Sequence, residues 1–217
     1  MLLRRIGSLD EPGEVGQRHP RIGSGLICLI SSRGGPVGDT YSPIPELNLL
    51  KEFDDECTDF YSPGFELREY GSGFWLDSEN SEFDDRVIPF AQATTSGSLY
   101  ALWRSDDRAD LATLPVLFLG DEGDLYVVAH NLRDLFWDLL DEEFDGPAPT
   151  RQTYLDTRQA YLIWLKRNFG PTAPTFERSP MEEHGWRFVD WLLSVGEEDA
   201  ADVVIENLDL FEVPRPA

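Results

Sequence analysis

The chain has 217 residues, 41% of them hydrophobic and 12% aromatic, enough for one large domain or for a domain carrying an extension. Its 41 aspartates and glutamates outweigh 18 lysines and arginines, giving a formal net charge of -23. Such a field repels nucleic acid and anionic membrane surfaces, which are bound by neutralising phosphates, and it favours fast, salt-sensitive association with a basic protein.

No apolar run approaches the roughly 20 residues of a membrane span. The basic start, Met1 to Arg5, is followed only by the short apolar run at residues 26–30, which is too short for a secretion signal. The two cysteines, Cys28 and Cys57, make no disulfide framework. Together these point to a cytoplasmic protein in a reducing compartment.

Residues 1–39 are rich in Gly, Ser, Pro and Arg, carry five arginines against four acidic residues, and show no period of 2 or 3.6. They read as disordered, or as upstream sequence included by a misplaced start codon, because the character changes sharply at Tyr41-Ser42-Pro43. A first helix is predicted from Ile44-Pro45-Glu46, with Pro in the first turn and Glu at the positive end of the dipole. Leu47, Leu50 and Phe53 share its apolar face. Residues 65–103 alternate short apolar runs with Gly, Ser, Asn and Asp, the signature of strands and turns. Residues 115–119 and 125–129, flanking Gly120-Asp121-Glu122-Gly123-Asp124, predict a hairpin. Asn131 then caps a helix with Leu132, Leu135, Phe136, Leu139 and Leu140 as its stripe, ending near Gly146-Pro147. Helices follow at residues 154–169, 186–195 and 197–210. Strands first and helices later give an α+β fold: a mostly antiparallel sheet with surrounding helices over residues 40–146, and a helical C-terminal extension, residues 147–217, packed on it.

The chemistry-bearing residues are sparse. His19, His130 and His184 lie in unlike contexts far apart in sequence, so a catalytic or metal cluster made from them requires unusual folding. No zinc, phosphate-loop or nucleophile-elbow motif occurs. The run from Asp77 to Asp85 places oxygen ligands at alternate positions, but has Glu82 and Ile88 where a calcium loop needs Gly and Glu. Neither a catalytic residue nor a cofactor is therefore expected. The tryptophans read as core anchors, with Trp137 and Trp164 as the two that a helix can project outward into a binding surface.

The helix opening Ile44-Pro45-Glu46-Leu47, the run Val87-Ile88-Pro89-Phe90-Ala91 and then Gly97-Ser98-Leu99-Tyr100-Ala101-Leu102-Trp103 form an ordered set. Pro115-Val116-Leu117-Phe118-Leu119-Gly120, Tyr126-Val127-Val128-Ala129 and the helix at residues 132–140 complete it. This order resembles the SUKH (Smi/Knr-like) superfamily of fungal cell-wall regulators and bacterial immunity proteins, over residues 44–140. Gln92-Ala93-Thr94-Thr95-Ser96 replaces the acidic residue and glycine pair common there. The resemblance implies an α+β fold, no catalysis, and protein binding as the activity.

Three functions are thereby expected in descending order. The first is an immunity protein that neutralises a cognate toxin, of a basic nuclease type, by direct contact. The second is a regulatory scaffold with several protein partners, and the third a hydrolase built on paired carboxylates. The candidate partner-binding residues are the acidic groups Asp54, Asp55, Glu56 and Asp59; Asp77, Glu79, Glu82, Asp84 and Asp85; and Asp106, Asp107 and Asp110.

Overall fold

Strand runs that are apolar without interruption, such as LYALW and LYVVA, have no polar face to offer solvent and must be covered on both sides. The computed structural model, which describes residues 40–57, 59–72 and 80–216, shows this arrangement. Five antiparallel strands lie in the order of the chain: β1 (Glu66–Leu67), β2 (Val87–Gln92), β3 (Leu99–Trp103), β4 (Val116–Leu119) and β5 (Leu125–Ala129). Helices α1 (Pro45–Glu56), α3 (Leu132–Asp138) and α4 (Ala148–Phe169) bury their apolar residues on one face. The opposite face is covered by α2 (Ser81–Arg86), a π-helical turn (Met181–Gly185), α5 (Trp186–Ser194) and α6 (Glu198–Leu210). The fold is α+β, with an antiparallel sheet, flanking helices and a helical C-terminal region.

Two cores follow from this layering. In the first, Tyr161 of α4 stacks on Tyr61 at 4.4 Å and donates its hydroxyl to the Phe136 carbonyl of α3 (2.8 Å). Trp164 is buried in the same core and Trp137 packs against it, so neither serves as an outward-facing aromatic. Trp164 belongs to α4 itself and is held between α1 and α3, 5.4 Å from the Phe53 ring and 6.1 Å from the Phe136 ring. In the second core, Trp103 of β3 meets Phe188 at 4.9 Å and Trp191 at 5.7 Å, both from α5, while Phe83 of α2 stacks on Trp191 at 5.7 Å.

Local irregularities aim side chains. Between Pro89 and Ala91 the β2–β3 register shifts, and the bulge turns Phe90 and Ala91 both into the first core. The β4–β5 hairpin closes with Gly120 N–H donating to the Asp124 carbonyl (2.7 Å) and with Gly123 at φ +99°, a backbone that a side chain would strain. Gly185 ends the π-helical turn where a Cβ would stand 2.6 Å from Leu208 Cδ2, so its bareness lets α6 close on α5.

Several elements differ from the sequence expectation. Helix α2 forms where a turn-rich stretch was expected, because Asn80 caps it by accepting from Glu82 N–H (3.0 Å) and Phe83 anchors it in the second core. Helix α4 begins at Ala148, ahead of the expected start, since Pro147 is extended and stands just before the first turn. Helix α3 stops at Asp138 instead of running on toward Gly146-Pro147. Asn131 caps α3 as the sequence indicates, accepting from Arg133 and Asp134 N–H (3.0 and 3.1 Å). The segment 1–39 and the expected disorder there lie outside the described residues.

Candidate functional site

The acidic candidates fall on different layers. Asp54, Asp55 and Glu56 end α1, whose last turn carries no basic residue and whose C-terminal dipole end is itself negative. Desolvation pushes the Asp54 carboxyl up, with Asp55 and Glu66 adding repulsion and Lys51 opposing it. Lys51 is spent on an ion pair with Asp55. Asp59 accepts from the Phe60 N–H at 2.9 Å.

Glu82, Asp84 and Asp85 lie on α2, under the other face of the sheet, next to the loop bearing Asp106, Asp107 and Asp110. Arg86 joins the two groups, standing 3.8 Å from Glu82 and 3.9 Å from Asp107, and Arg104 is 3.8 Å from Asp107. Asp106 is gripped by both arms of Arg108 (2.7 and 2.5 Å), whose hydrogen bond holds the carboxyl down at about 2. Asp110 caps the 3-10 turn Leu111–Thr113 through Ala112 N–H (3.2 Å). Local arginines and backbone thus account for Asp106 and Asp110. Asp77 and Glu79 lie outside the described residues.

The fold brings together two histidines that the sequence left apart. His130 follows β5 and His184 sits in the π-helical turn against the same strand, with ring centroids 5.7 Å apart. The backbone N–H and ring Nδ1 of His130 both donate to Asp134 Oδ2 (2.9 and 2.8 Å). Its Nε2 faces Glu183 Oε2 at 3.4 Å, and Phe176 stacks flat on the ring at 3.7 Å. Burial drives the His184 imidazole down to about 4, with Glu183 opposing and His130, Arg187 and Arg108 reinforcing the effect. Among the described residues no hydroxyl or thiol bonds to either ring, and no group of three or more His, Cys, Asp or Glu side chains is arranged to hold a metal ion. The cluster ties α3 to the segment that carries α5.

A cleft of about 270 Å³ opens on the first face of the sheet, beside the C-terminal end of α3. Its floor follows from strand register. Tyr100 of β3, Phe118 of β4 and Tyr126 of β5 are directly paired across three strands, with ring centroids 6.1 and 5.0 Å apart. Asp138 and Glu142 line the same cleft, and neither forms an ion pair among the described residues. Glu142 is held by Ser62, whose hydroxyl donates to Oε2 (3.1 Å), and by Tyr154, which donates to its carbonyl (2.7 Å). Desolvation pushes both carboxyls up. For Asp138 the nearby Asp134 and Asp141 add to this and His130 opposes it, leaving it at about 6. No sequence signal marked this pair, because the aromatic floor comes from three separate strands.

Asp138 is an exposed residue, so the stability effect of this shift is well below what a buried acid would show. Its folded pKa lies above its unfolded value, so the native state holds the extra proton between pH 4 and 6 and the penalty is complete above pH 6. Asp138→Asn is expected to raise stability by about 1 kcal/mol at pH 7.5, or Tm by roughly 2–4 °C, and to give no gain at pH 4. Thermal unfolding at the two pH values checks this.

The chain matches no family model, no curated protein and no solved structure.

Proposed function

We propose that the chain is a cytoplasmic binding protein that engages a basic protein partner, and specifically an immunity protein that blocks a cognate toxin of basic, nuclease type. The observation that carries this reading is a set of carboxyl groups placed where folding disfavours their charge. Asp54, Asp138 and Glu142 are all pushed up by desolvation, and α1 ends in carboxylates against its own dipole. Features kept at a cost to stability mark function more often than packing does. A basic partner relieves that cost, and a nuclease groove built to hold phosphates has the complementary sign.

The regulatory-scaffold reading draws on one further observation. Leu155 and Ile163 are exposed on α4, and Leu210 and Phe211 at the end of α6, where the Phe211 ring lies 6.3 Å from Tyr126 at the rim of the cleft; both offer apolar contact surface.

The test is binding to the product of the adjacent gene, measured at low and high salt. Binding that weakens at least tenfold between about 50 and 500 mM salt is expected for an interface driven by exposed charge. Binding indifferent to salt, or none, would contradict the reading.

A further inference from the structure

We propose that the cleft between the end of α3 and the row Tyr100–Phe118–Tyr126 receives one arginine side chain from a basic protein partner. This deepens the function proposed above and rests on it.

The geometry suits a guanidinium in three respects. The floor is aromatic over three strands, with Phe118 and Tyr126 stacked on each other and Tyr100 set edge-on to Phe118, and a planar delocalised cation packs against such an aromatic wall. Two carboxyls, four residues apart across the closing turn of α3, stand beside that floor and supply acceptors for a forked donor. Ser62 and Tyr154 fix Glu142 from outside the cleft, so the acceptor is positioned before any cation arrives. Nearby arginines do not fill this role. Arg158 of α4 is turned to the Leu140 carbonyl, and Arg133 to Glu46 at 2.9 Å.

Size and charge select the occupant. A cleft of about 270 Å³ takes the end of one long side chain but no whole helix or strand. With a net charge of -23 and two carboxyls at the site, a phosphate or an acidic peptide is repelled. Arginine is favoured over lysine because the ammonium is a compact, strongly hydrated charge that gains less from a flat aromatic wall. Leu135 and Leu139 of the α3 segment close the cleft behind the rings and keep the stem in an apolar setting.

Protonation works against such an occupant. Asp138 faces Asp134 and Asp141 on its own segment, His130 from the end of β5, and Glu142 and Tyr100 across the cleft. A bound cation favours the ionised carboxyl, so affinity is expected to fall as pH drops below about 6.

The experiment titrates the full chain with an eight-residue glycine-serine peptide bearing a single arginine, and with its lysine and citrulline counterparts, following the ring resonances of Tyr100, Phe118 and Tyr126. The arginine peptide is expected to shift all three rings saturably and to bind about tenfold more tightly than the citrulline peptide. Asp138→Asn and Glu142→Gln are each expected to weaken it by about tenfold, while Asp202→Asn on α6 leaves it unchanged. Absence of saturable ring shifts, equal binding of citrulline, or equal loss in Asp202→Asn would overturn the proposal. Salt-sensitive binding of a basic protein that survives Asp138→Asn and Glu142→Gln would overturn the cleft alone and leave the proposed function standing. Arginine seated in the cleft with no basic partner protein found would do the reverse.

Discussion

Deleting residues 180–217 is expected to abolish cooperative folding. Those residues supply the π-helical turn, α5 and α6, which are the main cover of the second face of the sheet. Their removal bares Trp103, Leu117, Leu119 and Val127, all buried in the intact chain. Phe188, Val189, Leu192, Val204 and Leu208 each bury a full apolar side chain there, worth about 1.5–3 kcal/mol apiece and so roughly 10 kcal/mol together. That is comparable to the entire stability of an ordinary domain, about 5–15 kcal/mol. The shortened chain is expected to aggregate or to bind a hydrophobic dye without a thermal transition. A soluble fragment with a sharp unfolding transition would mean that the helices are a dispensable appendage.

Acid is expected to weaken the fold through His184. Its folded pKa of about 4 lies below the ordinary 6.5, so the native state keeps the ring neutral while the unfolded chain takes up the proton. The associated stability is complete above pH 6.5 and is lost as pH falls toward 4. Because the side chain is buried, the loss is large, roughly 3 kcal/mol over that range. Asp138 works in the opposite direction over part of the same window but is exposed, so its smaller gain offsets only a fraction. Urea unfolding of the wild type and of His184→Gln from pH 7.5 to 4 isolates the effect. The stability difference is expected to move toward the variant by about that amount as pH falls, whereas parallel profiles would show that His184 titrates normally.

The parts of this fold legible in the sequence were those with local signatures. The β4–β5 hairpin was marked by two apolar runs around Gly120 and Gly123, and α1 and α3 by Pro45 and Asn131 at their starts. The uninterrupted apolar run of β3 is buried against both cores, with Tyr100 and Leu102 in the first and Ala101 and Trp103 in the second. That α5 and α6, within the helical extension packed on the sheet, share a core with Trp103 had no local signature in the sequence. Helix α2 was missed because its six residues hold a single buried apolar anchor, Phe83, too little for a helical period to register.

The site was less legible than the fold. Abundant carboxylates made every acidic run a candidate, and only three-dimensional partners separated them. Asp106 turned out to be claimed by Arg108, whereas Asp138, which no run singled out, faces an aromatic floor. His130 and His184 are far apart in the chain, and their meeting depends on the π-helical turn packing against β5.

The most direct test of the central claim is survival of cells that co-express the chain with the product of the adjacent gene, paired with the affinity of the two purified proteins at low and high salt. Rescue is expected, together with binding that weakens as salt rises. A neighbouring product that is toxic, is not neutralised and does not bind would contradict it.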